Sequence, residues 1–174
     1  MRALLILFAV LYLLAVTAVS AAESDDPELT ALPDRPPAPD FDLAGPDGDR
    51  FRLADYRGMP LIVNFWATWC PPCRAEMPSM QRAWEEVKDE GIAMIAINAG
   101  EDANTIRQFT ADYPVEFPLP MDRDFKVIQS WPLKGLPTTF VVDPEGRLAY
   151  RAAGEREWDD PKLLDLVREL KIER

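Results

Sequence analysis

The sequence contains no histidine among its 174 residues, and it contains only two cysteines. The absence of histidine excludes Ser-His-Asp triads, Cys-His nucleophile pairs and histidine-based metal sites. Positive charge is also scarce, because 19 lysines and arginines stand against 30 aspartates and glutamates, which gives a net charge of −11. So acidic a chain repels nucleic acid and anionic lipid surfaces, and we expect no nucleic-acid partner.

Long apolar runs are confined to the N-terminus, where Arg2 precedes a continuous apolar stretch from Ala3 to Val19. Small residues follow at Ser20-Ala21-Ala22, as they do at signal-peptide cleavage sites. The run approaches the roughly 18 residues that a spanning helix needs, so an uncleaved membrane anchor is the alternative. We therefore predict a signal peptide or anchor over residues 1–22. The chain is then exported, to the periplasm or the outer face of the cytoplasmic membrane.

Residues 23–40 are rich in proline and acidic residues and have few large apolar ones. This composition predicts an extended linker rather than an element of the core. Residues 41–174 are then left for one domain of ordinary size. That domain opens with two short apolar stretches around Gly45-Pro46-Asp47-Gly48, which predicts an N-terminal β-hairpin.

Strand and helix patterns alternate through this domain. Pro60–Ala67 and Ile92–Gly100 are continuous apolar runs, which are typical of strands buried on both faces. Two further strands flank a tight turn at residues 143–146 and are predicted to be antiparallel neighbours. Helices are predicted at 71–89, 105–113, 124–131 and 161–172. The order predicts an α/β fold in which helices cover a central mixed sheet.

The two cysteines, Cys70 and Cys73, stand two residues apart in the segment NFWATWCPPCRAEMP. A disulfide serving only as a structural clip would close a very short loop, so it would remove little entropy from the unfolded chain. Structural zinc requires four ligands, and this chain offers one cysteine pair without histidine. A two-thiolate copper(I) site stays open as an alternative, since soft metals accept thiolates.

A redox-active pair is favoured by the position of Cys70, where a predicted buried strand ends and a predicted helix begins. Its sulfur would lie near the free N–H groups at the positive end of the helix dipole, which favours the thiolate. Pro71 suits the first helical position, where a missing N–H has no cost. Cys73 falls inside the helix and suits the resolving role.

The segment from Asn64 to Pro78 closely resembles the active-site segment of the TlpA-like and ResA-like thiol:disulfide oxidoreductases of the thioredoxin superfamily. The similarity continues through GLPTTFVVDPEGRL, from Gly135 to Leu148, and covers most of residues 41–170. This resemblance implies a thioredoxin-like fold outside the cytoplasmic membrane. It also implies chemistry at a redox-active disulfide, with no other cofactor and no metal.

The resemblance implies roles for individual residues. Cys70 matches the nucleophile, and Cys73 matches the resolving cysteine. The Leu136–Pro137 peptide bond matches the one that is cis in this fold and faces the dithiol, a minority state for X–Pro bonds. The implied substrate-binding residues are Trp69, Pro71, Leu136, Pro137 and Thr138.

Asn64 stands where cytoplasmic thioredoxin has a buried aspartate that helps to move the proton of the resolving cysteine. Asparagine does not titrate, and ResA-like proteins have an acid at the position of Glu76. Glu76 follows Cys73 by three residues, on the same predicted helix face. Glu76 is therefore the third candidate catalytic residue; the alternative is a glutamate that faces solvent.

The predicted function is the reduction of disulfides in extracytoplasmic proteins, for example apocytochrome c or copper-site proteins. A membrane-embedded thiol reductant would recharge the cysteine pair, and only the resemblance favours the reducing direction. Thr138 stands where the cytochrome-maturation branch usually has glutamate, which weakens that assignment. One alternative is an exported copper(I) chaperone that uses the same thiolates. The other is a peroxiredoxin-type peroxidase, whose Pro-x-x-x-Thr/Ser-x-x-Cys segment is missing before Cys70.

Overall fold

The computed structural model describes residues 29–171, and a six-stranded mixed sheet runs through its centre. The strands in chain order are Thr30–Ala31 (β1), Asp42–Ala44 (β2), Arg50–Arg52 (β3), Leu61–Trp66 (β4), Ala93–Ala99 (β5), Met121–Asp122 (β6), Thr138–Val142 (β7) and Leu148–Ala153 (β8). The sheet order is β1-β8-β7-β4-β5-β6, and β2 pairs with β3 as a separate hairpin. β5 is parallel to β4 and β6, whereas β1, β8, β7 and β4 are joined by antiparallel pairs.

Helices cover both faces of this sheet, as the sequence predicts. Within the described residues the α-helices are Pro71–Val87 (α1), Ala103–Asp112 (α2), Lys126–Ser130 (α3) and Pro161–Glu169 (α4). Short 3₁₀ turns occupy Leu53–Tyr56 and Lys88–Glu90. No helix in residues 29–171 is long and apolar enough to cross a membrane, and the predicted signal peptide or anchor lies outside those residues.

The two core strands are buried on both sides because side chains alternate along them. Every residue of β4 and β5 is buried. Ile62 and Trp66 of β4 pack in a cluster with residues of α1, α2 and α4. Val63 and Phe65 pack in a second cluster with residues of α3, the hairpin and the first 3₁₀ turn. The predicted mixed sheet flanked by helices and the predicted hairpin are both confirmed.

Several element boundaries differ from the prediction for local reasons. α2 begins at Ala103, because the Asp102 side chain accepts a hydrogen bond from the Thr105 amide at 2.9 Å and caps the helix. α3 begins only after Phe125, whose left-handed φ of 60° cannot continue a right-handed helix backwards. α1 ends at Val87, and the 3₁₀ turn after it stops at Gly91, where φ is 74°.

The predicted linker is corrected over its described part, residues 29–40. Leu29 is only 1% exposed and belongs to the core cluster beneath α1 and α4. Thr30 and Ala31 pair with Arg151 and Tyr150 as β1, and Pro37 bridges to Arg147. The prediction was based on amino-acid composition, which describes side chains only. This segment instead pairs through its backbone with the edge of β8, and composition does not report such pairing.

Candidate active site

The two cysteines lie where the central strand β4 passes into α1. Cys70 is the N-cap of that helix, and its sulfur accepts a hydrogen bond from the Cys73 amide at 3.3 Å. The two residues form a disulfide, with their Cα atoms 5.3 Å apart. After reduction the Cys70 sulfur therefore faces free amides at the positive end of the helix dipole, an environment that stabilises a thiolate.

The accessibility of the two sulfur-bearing residues is unequal, although both are buried. Cys70 is 4% exposed, whereas Cys73 is fully covered inside the core cluster beneath α1. An incoming disulfide can therefore reach Cys70 first. This order agrees with the roles of nucleophile for Cys70 and resolving cysteine for Cys73.

The Leu136–Pro137 peptide bond is cis, which confirms the prediction. Pro137 immediately precedes β7, whose first residue, Thr138, pairs with Phe65 near the end of β4. The start of β7 and the end of β4 therefore meet at one edge of the sheet. The fold brings the cis-proline to the same edge as the loop that carries Cys70.

The backbone beside this proline has hydrogen-bonding capacity left over. The Pro137 carbonyl accepts from the Gly154 amide at 3.0 Å, and the Gly135 carbonyl accepts from the Thr138 hydroxyl at 2.7 Å. The N–H and C=O of Leu136 between them form no hydrogen bond within the described part of the chain. Backbone groups are seldom left without a partner, so an extended peptide can pair with Leu136 as an added strand.

The other two predicted substrate-binding residues lie on the surface. Trp69 is 66% exposed although it is a large hydrophobic residue, and Pro71 is exposed at the first position of α1. Trp66 instead lies in the core, with its ring centroid 4.9 Å from that of Phe109. An exposed tryptophan directly before Cys70 provides an apolar surface for a substrate to contact.

Glu76 is not a solvent-facing glutamate, because it is only 1% exposed. One carboxylate oxygen accepts from Asn64 Nδ2 at 2.7 Å. The other accepts from Trp158 Nε1 at 3.2 Å and from the Arg156 amide at 3.3 Å. Burial raises the pKa of Glu76 from its usual 4.5 to about 7, against the opposing effect of these hydrogen bonds. Glu76 is thus a buried acid that titrates near neutral pH.

Asn64 explains how such an acid is accommodated. Its Nδ2 donates both to Glu76 and to Thr139 Oγ1, the latter at 2.9 Å, so it links β4 to α1 and β7. An aspartate at this position would place a second carboxylate against Glu76 and would offer no donor. The titratable group is therefore carried by α1 rather than by the central strand.

Glu76 lies one helical turn beyond Cys73, and none of its hydrogen-bond partners is a cysteine. The same turn of α1 holds the loop before α4, because Ser79 Oγ accepts from the Trp158 amide at 3.0 Å. A proton moving between Glu76 and Cys73 would therefore need an intervening water or a change in the side-chain conformations.

Glu101 is a site residue that the sequence analysis missed. One of its carboxylate oxygens accepts from the Thr68 amide and from Asn98 Nδ2, each at 2.8 Å, and the other accepts from the Thr68 hydroxyl. These bonds hold the loop that leads from β4 to Cys70. Asn98 pairs with Trp66 across the parallel strands. A polar residue near the end of the buried run of β5, followed by an acid, was the available signal.

A disulfide at the N-terminus of a helix, a cis-proline at the same sheet edge and this mixed sheet together define a thioredoxin-fold redox protein. The family model described as AhpC/TSA matches residues 35–151. The chain belongs to this family.

The names of similar proteins agree with that assignment. The chain is 37% identical over 117 residues to thiol-disulfide oxidoreductase ResA of Bacillus subtilis, which covers 67% of this chain and 65% of the relative. It is 36% identical over 135 residues to ResA of Geobacillus thermodenitrificans, with 78% of each chain covered. A solved structure of a secreted thiol-disulfide isomerase from Corynebacterium glutamicum superposes with a TM-score of 0.74 at 26% identity, covering 86% of this chain and 95% of that one. The protein is a thiol-disulfide oxidoreductase.

We expect the buried Glu76 to make the oxidised protein less stable as the pH rises. Between pH 4.5 and about 7 the native state holds a proton that the unfolded state has released, so the free energy of unfolding falls over that range. The total loss is about 3 kcal/mol. Urea denaturation between pH 4 and 8 should show a loss that is larger in the wild type than in Glu76→Gln, and the difference between the two is the contribution of Glu76. Burial also raises the pKa of Asp122, but its contribution is common to both proteins and cancels. Equal pH dependence in the two proteins would contradict the assignment.

Removal of the Glu101 carboxylate should loosen the loop before Cys70. Glu101→Ala leaves the Thr68 amide and Asn98 Nδ2 without an acceptor, and we expect a loss of about 1–3 kcal/mol in unfolding free energy. Glu101→Gln is the matched control, because an amide oxygen still accepts from both and the Thr68 hydroxyl can reverse its bond. The rate of exchange with a small neutral disulfide should fall in the alanine variant alone. A rate unchanged in Glu101→Ala would show that the loop needs no such support.

Proposed function

We propose that the protein reduces disulfide bonds of proteins outside the cytoplasm. The observation that carries this proposal is Cys70, the more exposed of the two cysteines, at a helix N-terminus beside a cis-proline whose neighbour Leu136 has backbone groups without a partner in residues 29–171. The first feature supplies a nucleophile, and the second supplies a place for an extended protein segment. Together they suit a protein substrate better than a small oxidant.

The exchange begins when the Cys70 thiolate attacks one sulfur of the substrate disulfide. That S–S bond breaks, a mixed disulfide forms, and the released substrate thiolate takes up a proton. Cys73 then loses its proton and attacks the Cys70 sulfur, which releases the second substrate thiol. The substrate gains two electrons and two protons, and the protein keeps the Cys70–Cys73 disulfide.

Glu76 is proposed as the group that accepts the proton of Cys73. A pKa of about 7 places its two protonation states close in energy at neutral pH, which suits a group that must both take and give a proton. Its position three residues after Cys73 places the two side chains as neighbours on one face of α1, so that an intervening water could carry the proton. Asn64 stabilises the ionised form by donating to it.

Substrate contacts are proposed at Trp69, Pro71, Leu136, Pro137 and Thr138. The substrate segment would pair with the Leu136 backbone while an apolar side chain rests on the exposed Trp69 ring. Thr138 has little freedom to contact a substrate through its side chain, because it is buried and its hydroxyl donates to the Gly135 carbonyl. Its contribution is therefore to fix the loop that presents Leu136.

Export and recharging complete the proposal. Residues 1–22 would act as the signal peptide or anchor, and the related secreted isomerase supports an extracytoplasmic location. A membrane-embedded thiol reductant would return the Cys70–Cys73 disulfide to the dithiol, so no bound cofactor or metal is required. Apocytochrome c and copper-site proteins are candidate substrates. The copper(I) chaperone and the peroxidase gain no support from the relatives, which are named for thiol–disulfide chemistry.

Trapping tests the assigned roles and identifies substrates at the same time. Cys73→Ser should accumulate a mixed disulfide between Cys70 and its protein partner, since the second attack is lost. The Cys70→Ser variant should trap nothing, although it also retains one cysteine. Exported proteins recovered by non-reducing electrophoresis and mass spectrometry provide the readout. Trapping by Cys70→Ser alone would reverse the two roles.

Glu76→Gln should slow the release of the mixed disulfide without slowing its formation. Glutamine keeps one oxygen for Trp158 and the Arg156 amide, and its NH2 group can donate to Asn64 Oδ1 once that amide turns over. It cannot accept the proton of Cys73, so we expect a loss of about tenfold or more in the resolving step. The wild-type rate of that step should also rise with pH around 7, whereas the variant should lack this inflection. Single-turnover kinetics of the two steps measure both effects. An unchanged resolving rate would remove Glu76 from the mechanism.

A further inference from the structure

A cavity of about 360 Å³ opens beside the cis-proline. Leu136, Pro137 and Thr138 form one of its walls, and Ala153 and Gly154 at the end of β8 form another. The cavity is therefore continuous with the backbone at which a substrate segment would pair. A side chain of that segment, close in sequence to its reactive cysteine, would project into this space.

Two cationic residues, Lys134 and Arg151, line the cavity, and no acidic residue in the described part of the chain does. Lys134 is exposed on the loop before the cis-proline, and Arg151 is half-buried in β8. Neither side chain forms a hydrogen bond or ion pair within residues 29–171. Four cationic side chains in that range are unpaired in this sense: Arg123, Lys134, Arg151 and Lys162.

Two unpaired cations in one cavity are unusual in a chain with a net charge of −11. Carboxylates outnumber cations throughout the protein and pair with most of them, yet none lines this cavity. Charges separated by more than about 8 Å are largely screened at physiological ionic strength. A ligand group inside the cavity therefore lies nearer to Lys134 and Arg151 than to the carboxylates of residues 29–171, all of which lie outside the lining.

We propose that Lys134 and Arg151 select protein substrates that carry an acidic side chain near the reactive cysteine. The selected class is an extended segment with aspartate or glutamate within a few residues of its disulfide-forming cysteine. Arg151 offers a planar fork of donors that fits a carboxylate, and Lys134 adds a mobile charge at the rim. This inference rests on the proposed disulfide-reducing function and names the substrates that the site prefers.

The net charge of the protein and the local cations lead to opposite expectations. If the overall charge of −11 governed encounter, a basic peptide would react faster than an acidic one. If Lys134 and Arg151 in the cavity determine the rate, the acidic peptide reacts faster than the basic one. The ratio of the two rates then falls as salt is added. The sign of the preference therefore separates the two explanations.

The test uses the full-length protein, reduced, with peptides blocked at both termini. Each peptide carries one cysteine joined by a disulfide to neutral 2-thiopyridine. The residues two positions before and two positions after that cysteine are both Asp in the first peptide, both Asn in the second and both Lys in the third. Release of thiopyridone gives the second-order rate constant. The variants are Lys134→Gln, Arg151→Gln and their double variant. Lys162→Gln in α4 is the matched control, because it removes an equally unpaired cation from a helix that packs on the other face of the sheet.

We expect the wild type and Lys162→Gln to prefer the Asp peptide over the Lys peptide by about tenfold at low salt. Each cavity substitution should lower that ratio by up to about fivefold, the range expected for one exposed charge pair. Rates with the Asn peptide should be nearly unchanged in all variants, which shows that the dithiol still reacts.

A faster reaction with the Lys peptide, or an unchanged ratio in the double variant, would overturn the inference and leave the proposed function intact. Failure of the wild type to react with any of the three peptides would instead refute the proposed function, and this inference with it.

Discussion

The hydrogen bonds that the buried Glu76 carboxylate accepts join three parts of the site. Asn64 belongs to the central strand, Glu76 to the helix that begins at Cys70, and the Arg156 and Trp158 donors to the loop before the last helix. A carboxylate buried without such partners would be strongly unfavourable, so these donors are what make a buried acid tolerable. A change in the charge of Glu76 therefore affects hydrogen bonds to the strand and to the loop as well as the helix that carries it.

This arrangement also places the redox-active disulfide close to a side chain, Glu76, that can gain or lose a proton. Reduction of Cys70–Cys73 creates two groups that can hold protons, and the buried Glu76 lies one turn from the less accessible of them. Its pKa near 7 allows a proton to be exchanged at little cost under neutral conditions. The burial that suits Glu76 to the proposed proton transfer also destabilises its ionised form, so the proposed chemistry and the stability of the fold make opposite demands on this residue.

The sequence predicted the features that depend on regular patterns. The buried strands β4 and β5, the helix from Pro71 and the antiparallel pair around residues 143–146 followed from apolar runs and turn residues. The cis bond at Pro137 followed from resemblance alone, since no local rule specifies it. β1 was missed because edge pairing uses the backbone, and the side chains of Thr30 and Ala31 leave no pattern to detect.

The site shows a similar division. Cys70 and Cys73 were identified by their spacing and position, whereas the burial of Glu76 depends on Trp158, which is distant in sequence. Glu101 was missed because its partners, Thr68 and Asn98, meet only when two parallel strands end side by side. The sequence also could not show that Lys134 and Arg151 have no partners within residues 29–171, since that depends on which side chains the fold brings together.

The equilibrium reduction potential of the Cys70–Cys73 pair tests the central claim, which is that the protein donates electrons to its substrates. Tryptophan fluorescence titrated against a thiol redox buffer measures this potential, with Trp69 beside the pair as the reporter. Our account predicts a value below about −220 mV, at which the dithiol can reduce exported disulfides and be recharged by a membrane reductant. A value near −120 mV, typical of the strongest oxidants of this fold, would contradict it and make the protein a disulfide donor.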